Sequence, residues 1–231
     1  MLLSVVATPI GNLKDISLRA KEVLTQATLI VAEDTRTTGQ LLKLLTLEAR
    51  PKEFVSSHAQ STNTALTKAI ERCSKHEYIA LVTDAGTPAI SDPGSVFVNA
   101  FRSSYPQAIV VPVPGPSALI AAVSVSGFSG NHVEFMGFVP HKKGRQTLFA
   151  AIAQKGHMVV LYESPHRILK TLEAFVEVLG ERQMMVAREM TKMFEEYPRG
   201  TAKELFTYYY DHPEKVKGEF VIVLAPQHVT S

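Results

Sequence analysis

Short aliphatic and β-branched runs alternate along this chain with segments whose apolar positions recur every three or four residues. In the first half, LLSVVAT, TLIVAED, YIALVTD and AIVVPVP read as strands, and SLRAKEVLTQA, GQLLKLL, TALTKAIERCSKH and SVFVNAFRSS read as helices. After VPVPGPSALIAAVSVSGF the alternation begins again. HVEFMGF, HMVVLYES, QMMVAREM and GEFVIVLAP are the strands of the second half, and RQTLFAAIAQ, HRILKTLEAFVEVLG and TAKELFTYYYD are its helices. Near-continuous apolar strands, rather than strictly alternating ones, predict a mostly parallel sheet covered by helices on both faces. The expectation is an α/β protein of two domains. The Pro/Gly-rich stretch Pro112 to Pro116 must end the strand before it, which places the boundary near Gly115, with domains 1–114 and 115–231.

Composition adds limits. The 231 residues are 45% hydrophobic and 20% charged, as in ordinary globular proteins that bury a core. One cysteine, Cys73, forms no internal disulfide and fits a reducing compartment; its helical spacing predicts a half-buried position. The N-terminal apolar run lacks a basic start and is far shorter than the ~20 residues that span a bilayer, so a cytoplasmic protein with no membrane partner is expected. A formal net charge of +2 does not announce a nucleic-acid partner, so any such evidence must be local.

The loops carry the candidate chemistry. ATPIGN, DAGTPAISDPG, PVPGPSA and YESPHR each follow an apolar run and precede a helix, and open α/β sheets bind ligands at such strand ends. Any one of them can be read simply as a turn; four together favour a site. The longest, from Thr83 to Gly94, looks like a cofactor cradle in which Gly86 opens the backbone to a ligand, while Asp92 ahead of Pro93 reads as a helix cap. Several chemistries are excluded by missing patterns. The first strand is followed by no G-x-G-x-x-G, and Walker A and H-E-x-x-H motifs and paired cysteines are absent, which argues against a dinucleotide fold, an NTPase and a bound metal. Ser164-Pro165-His166 lacks the G-x-S-x-G elbow of a hydrolase.

A second group of loop residues is charged: Glu33-Asp34-Thr35-Arg36, His141-Lys142-Lys143-Gly144-Arg145, Glu163 with His166-Arg167, and Arg188-Glu189 with Lys192. The plain alternative is a solvated surface laced with ion pairs, and for Glu33 and Asp34 a buried ion pair with Arg19 or Arg36. PHKKGR reads instead as a phosphate-binding loop, able to hold an RNA backbone without reading its sequence.

The motifs VATPIGNLKDISLRA, VAEDTRTTGQLL, LVTDAGTPAISDPG, PGPSALIAAVSVSG, FMGFVPHKKGR, YESPHRILKTL, AREMTKMFEEYPRGT and GEFVIVLAP together closely resemble the ribosomal RNA small subunit methyltransferase I family of the tetrapyrrole-methylase-like group, over residues 1 to 226. That family methylates a cytidine ribose 2′-oxygen in 16S rRNA. The resemblance implies S-adenosyl-L-methionine as cofactor, folded in a cleft between two α/β domains of tetrapyrrole-methylase type, within a homodimer. It implies a cofactor site drawn from Pro9, Asp84, Ala85, Gly86, Thr87, Ile90, Ser91, Ser117, Ala118, Phe138, Tyr162, Ala187, Gly218 and Phe220. Family members often continue into a small helical extension, whereas this sequence ends at Ser231. On that departure, RNA would be held by the dimer or by PHKKGR.

Methyl transfer from a sulfonium requires the ribose oxygen to be aimed at the methyl carbon with water excluded, and a base near the oxygen assists. Asp34 is the first candidate base, followed by Glu163 and then His166. Arg36, His141, Lys142, Arg145, Arg167, Arg188 and Lys192 are the candidate RNA contacts. Two alternatives stay open: a methyltransferase acting on a small tetrapyrrole-like molecule, for which EDTR and PHKKGR have no evident use, and a non-catalytic ribosome-assembly factor, which intact cofactor loops disfavour.

Overall fold

A computed structural model describes residues 1–47, 51–57 and 63–227. The chain forms two compact units, Met1–Ser117 and Ala118–Ser231, so the division falls three residues beyond the expected Gly115.

In the first unit the elements run β1 (Leu2–Val6), α1 (Leu18–Gln26), β2 (Leu29–Ala32), α2 (Thr35–Leu44), β3 (Glu53–Ser56), α3 (Asn63–Cys73), β4 (Tyr78–Val82), α4 (Gly94–Ser104) and β5 (Ile109–Val113). The strands form one parallel sheet in the order β3-β2-β4-β1-β5. Because successive strand residues face opposite sides, Ile30 and Ala32 join Ala20 and Leu24 of α1 and Leu42 of α2, whereas Leu29 and Val31 join Ala69 and Ile70 of α3 and Phe97 and Phe101 of α4. The two cores cover both faces, as the apolar strands predict. Cys73 is fully buried rather than half-buried, and burial pushes its thiol up to about 12. β3 was not legible in the sequence: its burial is only partial, and KEFVSS has no apolar run to betray it.

This strand order fixes where a ligand can lie. The chain leaves β1 toward β2 and leaves β4 toward β5, so two neighbouring strands send their loops in opposite directions. A crevice opens at such a switch point, at the carboxyl ends of the strands.

The second unit contains α5 (Ala118–Ser126), β6 (Val133–Phe138), α6 (Arg145–Ala153), β7 (Met158–Glu163), α7 (Ile168–Leu179), β8 (Met184–Arg188), β9 (Arg199–Gly200), α8 (Ala202–Asp211) and β10 (Phe220–Leu224). Its sheet has the order β6-β7-β10-β8-β9 and is mixed rather than mostly parallel. The last long strand, β10, inserts antiparallel between β7 and β8. An apolar run such as FVIVL reads alike in either direction, so periodicity had no means of revealing this. α6, α7 and α8 cover one face around Phe149, Phe175, Leu205 and Tyr209. α5, nearly all apolar and without a clear amphipathic period in the sequence, packs against β10. A reciprocal cap starts α8: Glu204 N–H donates to the Thr201 hydroxyl while the Glu204 carboxylate accepts from the Thr201 N–H.

Candidate active site

At the switch point of the first unit, the loops after β1 and β4 are joined. Thr8 N–H donates to the Gly86 carbonyl at 2.9 Å and Gly86 N–H donates to the Thr8 carbonyl at 3.0 Å, forming a small antiparallel bridge. The Thr8 hydroxyl also donates to the Thr83 carbonyl, and that of Thr87 donates to the Pro116 carbonyl at 2.9 Å. Gly86 lies at φ +82°, and a Cβ there would stand 3.3 Å from Ile10 Cγ2, so only glycine allows the two loops to close this way. Beyond the bridge, Asp92 accepts from the amides of Ala89 and Gly94, holding Ala89 at φ +71° and capping the start of α4. The N-cap position itself is Pro93, so Asp92 reaches the first helical amide from one residue outside the cap. Of the expected cofactor residues here, Pro9 and Gly86 are buried in the closed loops, Thr87 and Ser117 are half-buried, and Asp84, Ala85, Ile90 and Ser91 are exposed.

The end of β2 joins the same edge. Asp34 N–H donates to the Asp84 carboxylate at 3.1 Å, and Glu33 accepts from the Thr83 hydroxyl at 2.7 Å. Asp34 caps α2 by accepting from Arg36 N–H and pairs with the Arg36 guanidinium at 2.6 Å; the partner is one the plain alternative named, but the pair is exposed and not buried. The Arg36 side-chain hydrogen bond, reinforced by its amide, holds the Asp34 carboxyl far below the usual carboxylate range. Such a carboxylate is a weak proton acceptor. Arg36 itself remains 90% exposed at its side chain.

In the second unit, Val221 of β10 stands opposite Tyr162 of β7 and Ala187 of β8, so Tyr162 and Ala187 share one row on one face. The Tyr162 hydroxyl accepts from Leu119 N–H of α5 at 3.1 Å, and Phe138 meets the Tyr162 ring edge-on at 5.4 Å between centroids. Ala118, Phe138, Tyr162 and Ala187 therefore gather on the α5 side. Phe220 does not join them. Its side chain points to the opposite face, against Tyr209 in the core, because it is one residue out of phase with Val221. Gly218 lies at φ +86° where a Cβ would overlap the Glu189 carboxylate, so it serves a tight backbone approach.

Several charged candidates turn inward. Glu163 is buried. It accepts from Ser164 N–H at 2.7 Å and the Thr171 hydroxyl at 2.5 Å, and pairs with Arg167 at 2.9 Å and Arg145 at 3.9 Å. Arg167 also donates to the Val139 carbonyl, and Arg145 donates to Thr171 and lies over Phe149. Arg188 is buried, donating to the carbonyls of Lys217 and Phe194 and pairing with Glu196. Lys192 is shared between Glu189 and Glu219. Glu163, Arg145, Arg167, Arg188 and Lys192 thus all have protein partners within the second unit, which the sequence could not show: it displayed charge but not the opposite charges folded against it. His141, Lys142 and Lys143 stay exposed on the loop that ends at Gly144, and His166 is exposed on the turn before α7. Thr8 was not singled out as a site-forming residue; its only sequence signal was its place in the ATPIGN loop.

The profile of the Tetrapyrrole (Corrin/Porphyrin) Methylases matches residues 2–205. Ribosomal RNA small subunit methyltransferase I of Xylella fastidiosa is 44% identical over 224 residues, which are 96% of this chain and 80% of that protein. The chain belongs to this family. The Thermotoga maritima member is 38% identical, with 96% of this chain and 97% of that protein covered, and the Borrelia garinii subsp. bavariensis member is 42% identical, with 97% and 98% covered. Extra length is thus a property of some family members and not of others. Among solved structures, diphthine synthase superposes with a TM-score of 0.73 at 15% identity, covering 97% of this chain and 90% of that one. Uroporphyrin-III C-methyltransferase of Thermus thermophilus, in complex with S-adenosyl homocysteine, gives 0.65 at 14% identity, with 97% of each chain covered. Both likenesses concern the fold.

Proposed function

We propose that the protein methylates RNA of the small ribosomal subunit at a cytidine ribose 2′-hydroxyl, with S-adenosylmethionine as methyl donor, in the cytoplasm. The observation that carries this reading is the Thr8–Gly86 bridge at the switch point of the first sheet, in a chain 44% identical to an RNA methyltransferase of the same family. The bridged loops leave the backbone of Asp84 and Ala85 open beside an exposed carboxylate, a donor and acceptor set suited to the hydroxyls and amino group of a nucleoside. When bound, the cofactor supplies an electrophilic methyl on a positively charged sulfur. Pro9, Asp84, Ala85, Gly86, Thr87, Ile90, Ser91 and Ser117 are the residues of the first unit that would hold it, and Ala118, Phe138, Tyr162 and Ala187 keep the assignment the resemblance gives them.

Positioning then supplies most of the rate. Arg36, fixed by Asp34 and open to solvent, anchors a phosphate or orients the target ribose, and the exposed His141 and Lys142 hold the strand. Asp34 acts through Arg36 rather than as a base. Of the proposed proton acceptors, His166 alone has no hydrogen bond or ion pair with the described residues, and it takes that role if one is needed. The nearly all-apolar α5 exposes Ile120 and Val125, which supports a second copy of the chain as partner.

Identities of 38–44% to RNA-modifying relatives, against 14–16% to porphyrin-modifying ones, favour RNA over a tetrapyrrole substrate. The test is incubation with unmethylated small subunits and labelled cofactor, followed by mass mapping of the modified nucleotide. A methyl on a base, or none in the presence of bound cofactor, would overturn the reading.

A further inference from the structure

The second unit holds a pocket of about 520 Å³ that the methylation site does not use. Its walls include Phe128, Glu181, Arg182, Arg199, Ala225 and Pro226, where β8 begins and β10 ends. The Tyr162–Val221–Ala187 row lies toward the other end of the same strands. At about 3.3 Å per residue, Ala225 is some 13 Å along β10 from Val221.

Two guanidinium groups shape this pocket. Arg182 is 6% exposed and donates Nε to the Ala225 carbonyl at 2.7 Å, Nη1 to that of Ile152 at 3.1 Å and Nη2 to that of His157 at 2.7 Å. Its partners are dipoles; no carboxylate among the described residues pairs with it. A buried charge compensated only by carbonyls leaves a positive potential, which a low-dielectric concavity concentrates. Arg199, exposed as a residue, holds its guanidinium carbon over the Phe128 ring, 4.5 Å from the centroid, and makes no side-chain hydrogen bond or ion pair with a described residue. Gly127 permits this pose, since a Cβ there would come within 2.9 Å of Arg199 Nη1. The ring contact takes up none of the guanidinium N–H groups in hydrogen bonds, which leaves them for a planar or tetrahedral anion. Glu181, the one carboxylate lining the pocket, is exposed and screened by solvent.

We propose that this pocket binds a phosphate group of the RNA strand outside the nucleotide that is methylated, with Arg199 as its principal ligand. The proposal rests on the reading that RNA is the substrate. It gives the enzyme a second grip on its strand, and it accounts for an arginine placed over a ring with no hydrogen-bond or ion-pair partner for its side chain among the described residues.

The test is fluorescence anisotropy of the full chain with a labelled single-stranded oligoribonucleotide, and with unmethylated small subunits, across a salt series. Arg199→Ala should weaken binding several-fold and reduce the slope of log affinity against log salt by about 0.7, the value for one phosphate contact on a single strand. Calorimetric binding of S-adenosylmethionine should not change. Arg102→Ala, which removes the same charge from an exposed position on α4, should leave the slope as it was. An unaltered slope in Arg199→Ala, with RNA still bound, overturns the pocket and leaves the substrate reading standing. Wild-type protein that binds neither RNA overturns both. If inorganic phosphate raises the melting temperature through Arg199 while the RNA slope stays constant, the site takes small anions and the RNA assignment is wrong.

Discussion

Glu163 offers a sharp test of whether buried charge in this protein is structural or catalytic. Its carboxylate joins the end of β7, the start of α7 through Arg167 and Thr171, the start of α6 through Arg145, and the loop after β6 through the Arg167 bond to Val139. Glu163→Ala would leave two guanidiniums, each about one-seventh exposed, without their shared anion, and removing one partner of a buried pair costs about 3–5 kcal/mol. Glu163→Gln should cost less, roughly 1–3 kcal/mol. Its amide oxygen can still accept from Ser164 and Arg167, and its NH₂ can donate to Thr171, so only the charge and one hydroxyl donor lose their partner. Urea unfolding gives these differences, and single-turnover methylation of the folded Gln variant gives the rate. A structural carboxylate predicts lowered stability with a rate within about tenfold of wild type, where tenfold corresponds to 1.36 kcal/mol of barrier. A Gln variant of undiminished stability and intact cofactor binding that is slower by two orders of magnitude or more would refute the reasoning and restore Glu163 as the base.

Asp34→Asn should slow single turnover modestly and shift the salt dependence of RNA binding, because it frees Arg36 rather than removing a base; a collapse of the rate at high pH with RNA affinity unchanged would show otherwise. Gly86→Ala, forced to keep φ +82° beside Ile10, should destabilise the first unit by about 1–2 kcal/mol and weaken S-adenosylmethionine binding in calorimetry, and normal affinity would separate the Thr8–Gly86 bridge from the cofactor. Lys142→Ala should flatten the salt slope by about 0.7 with no change in melting temperature, whereas Arg145→Ala should lower the melting temperature instead. Lys155 and His157 hold the Glu134 carboxyl below its ordinary 4.5. Burial opposes the same shift at Glu189, but Lys192 and the Glu219 amide outweigh it, and that group also lies below 4.5. Folded-state values below unfolded ones mean that this stabilisation is complete above about 4.5 and is lost as pH falls through the lower folded values, so melting temperature should drop on the acid side. A melting temperature that stays flat down to the folded-state values would contradict it.

The hydrophobic pattern by itself determined that the chain is α/β in two halves, because core-facing positions must recur with the period of the element that carries them. The Gly/Pro loops were equally visible, since φ +82° at Gly86 admits few other residues, but Pro112 does not end β5: it lies within that strand, at the edge of the sheet where proline is tolerated. Family membership lay in the same motifs. Pairing was decided only by the tertiary structure. Nothing local in FVIVL places β10 antiparallel between β7 and β8, and nothing in KEFVSS marks an edge strand. Charge shows the same division. His141, Lys142, Arg145, Arg167 and Arg188 are alike in sequence, yet Arg145 and Arg167 converge on Glu163 and Arg188 on Glu196, while His141 and Lys142 face water. A side chain's chemistry is fixed by its type, but its availability depends on which distant groups the fold brings within a few ångströms. The partners lie up to 18 residues away along the chain and on other elements, where periodicity carries no information.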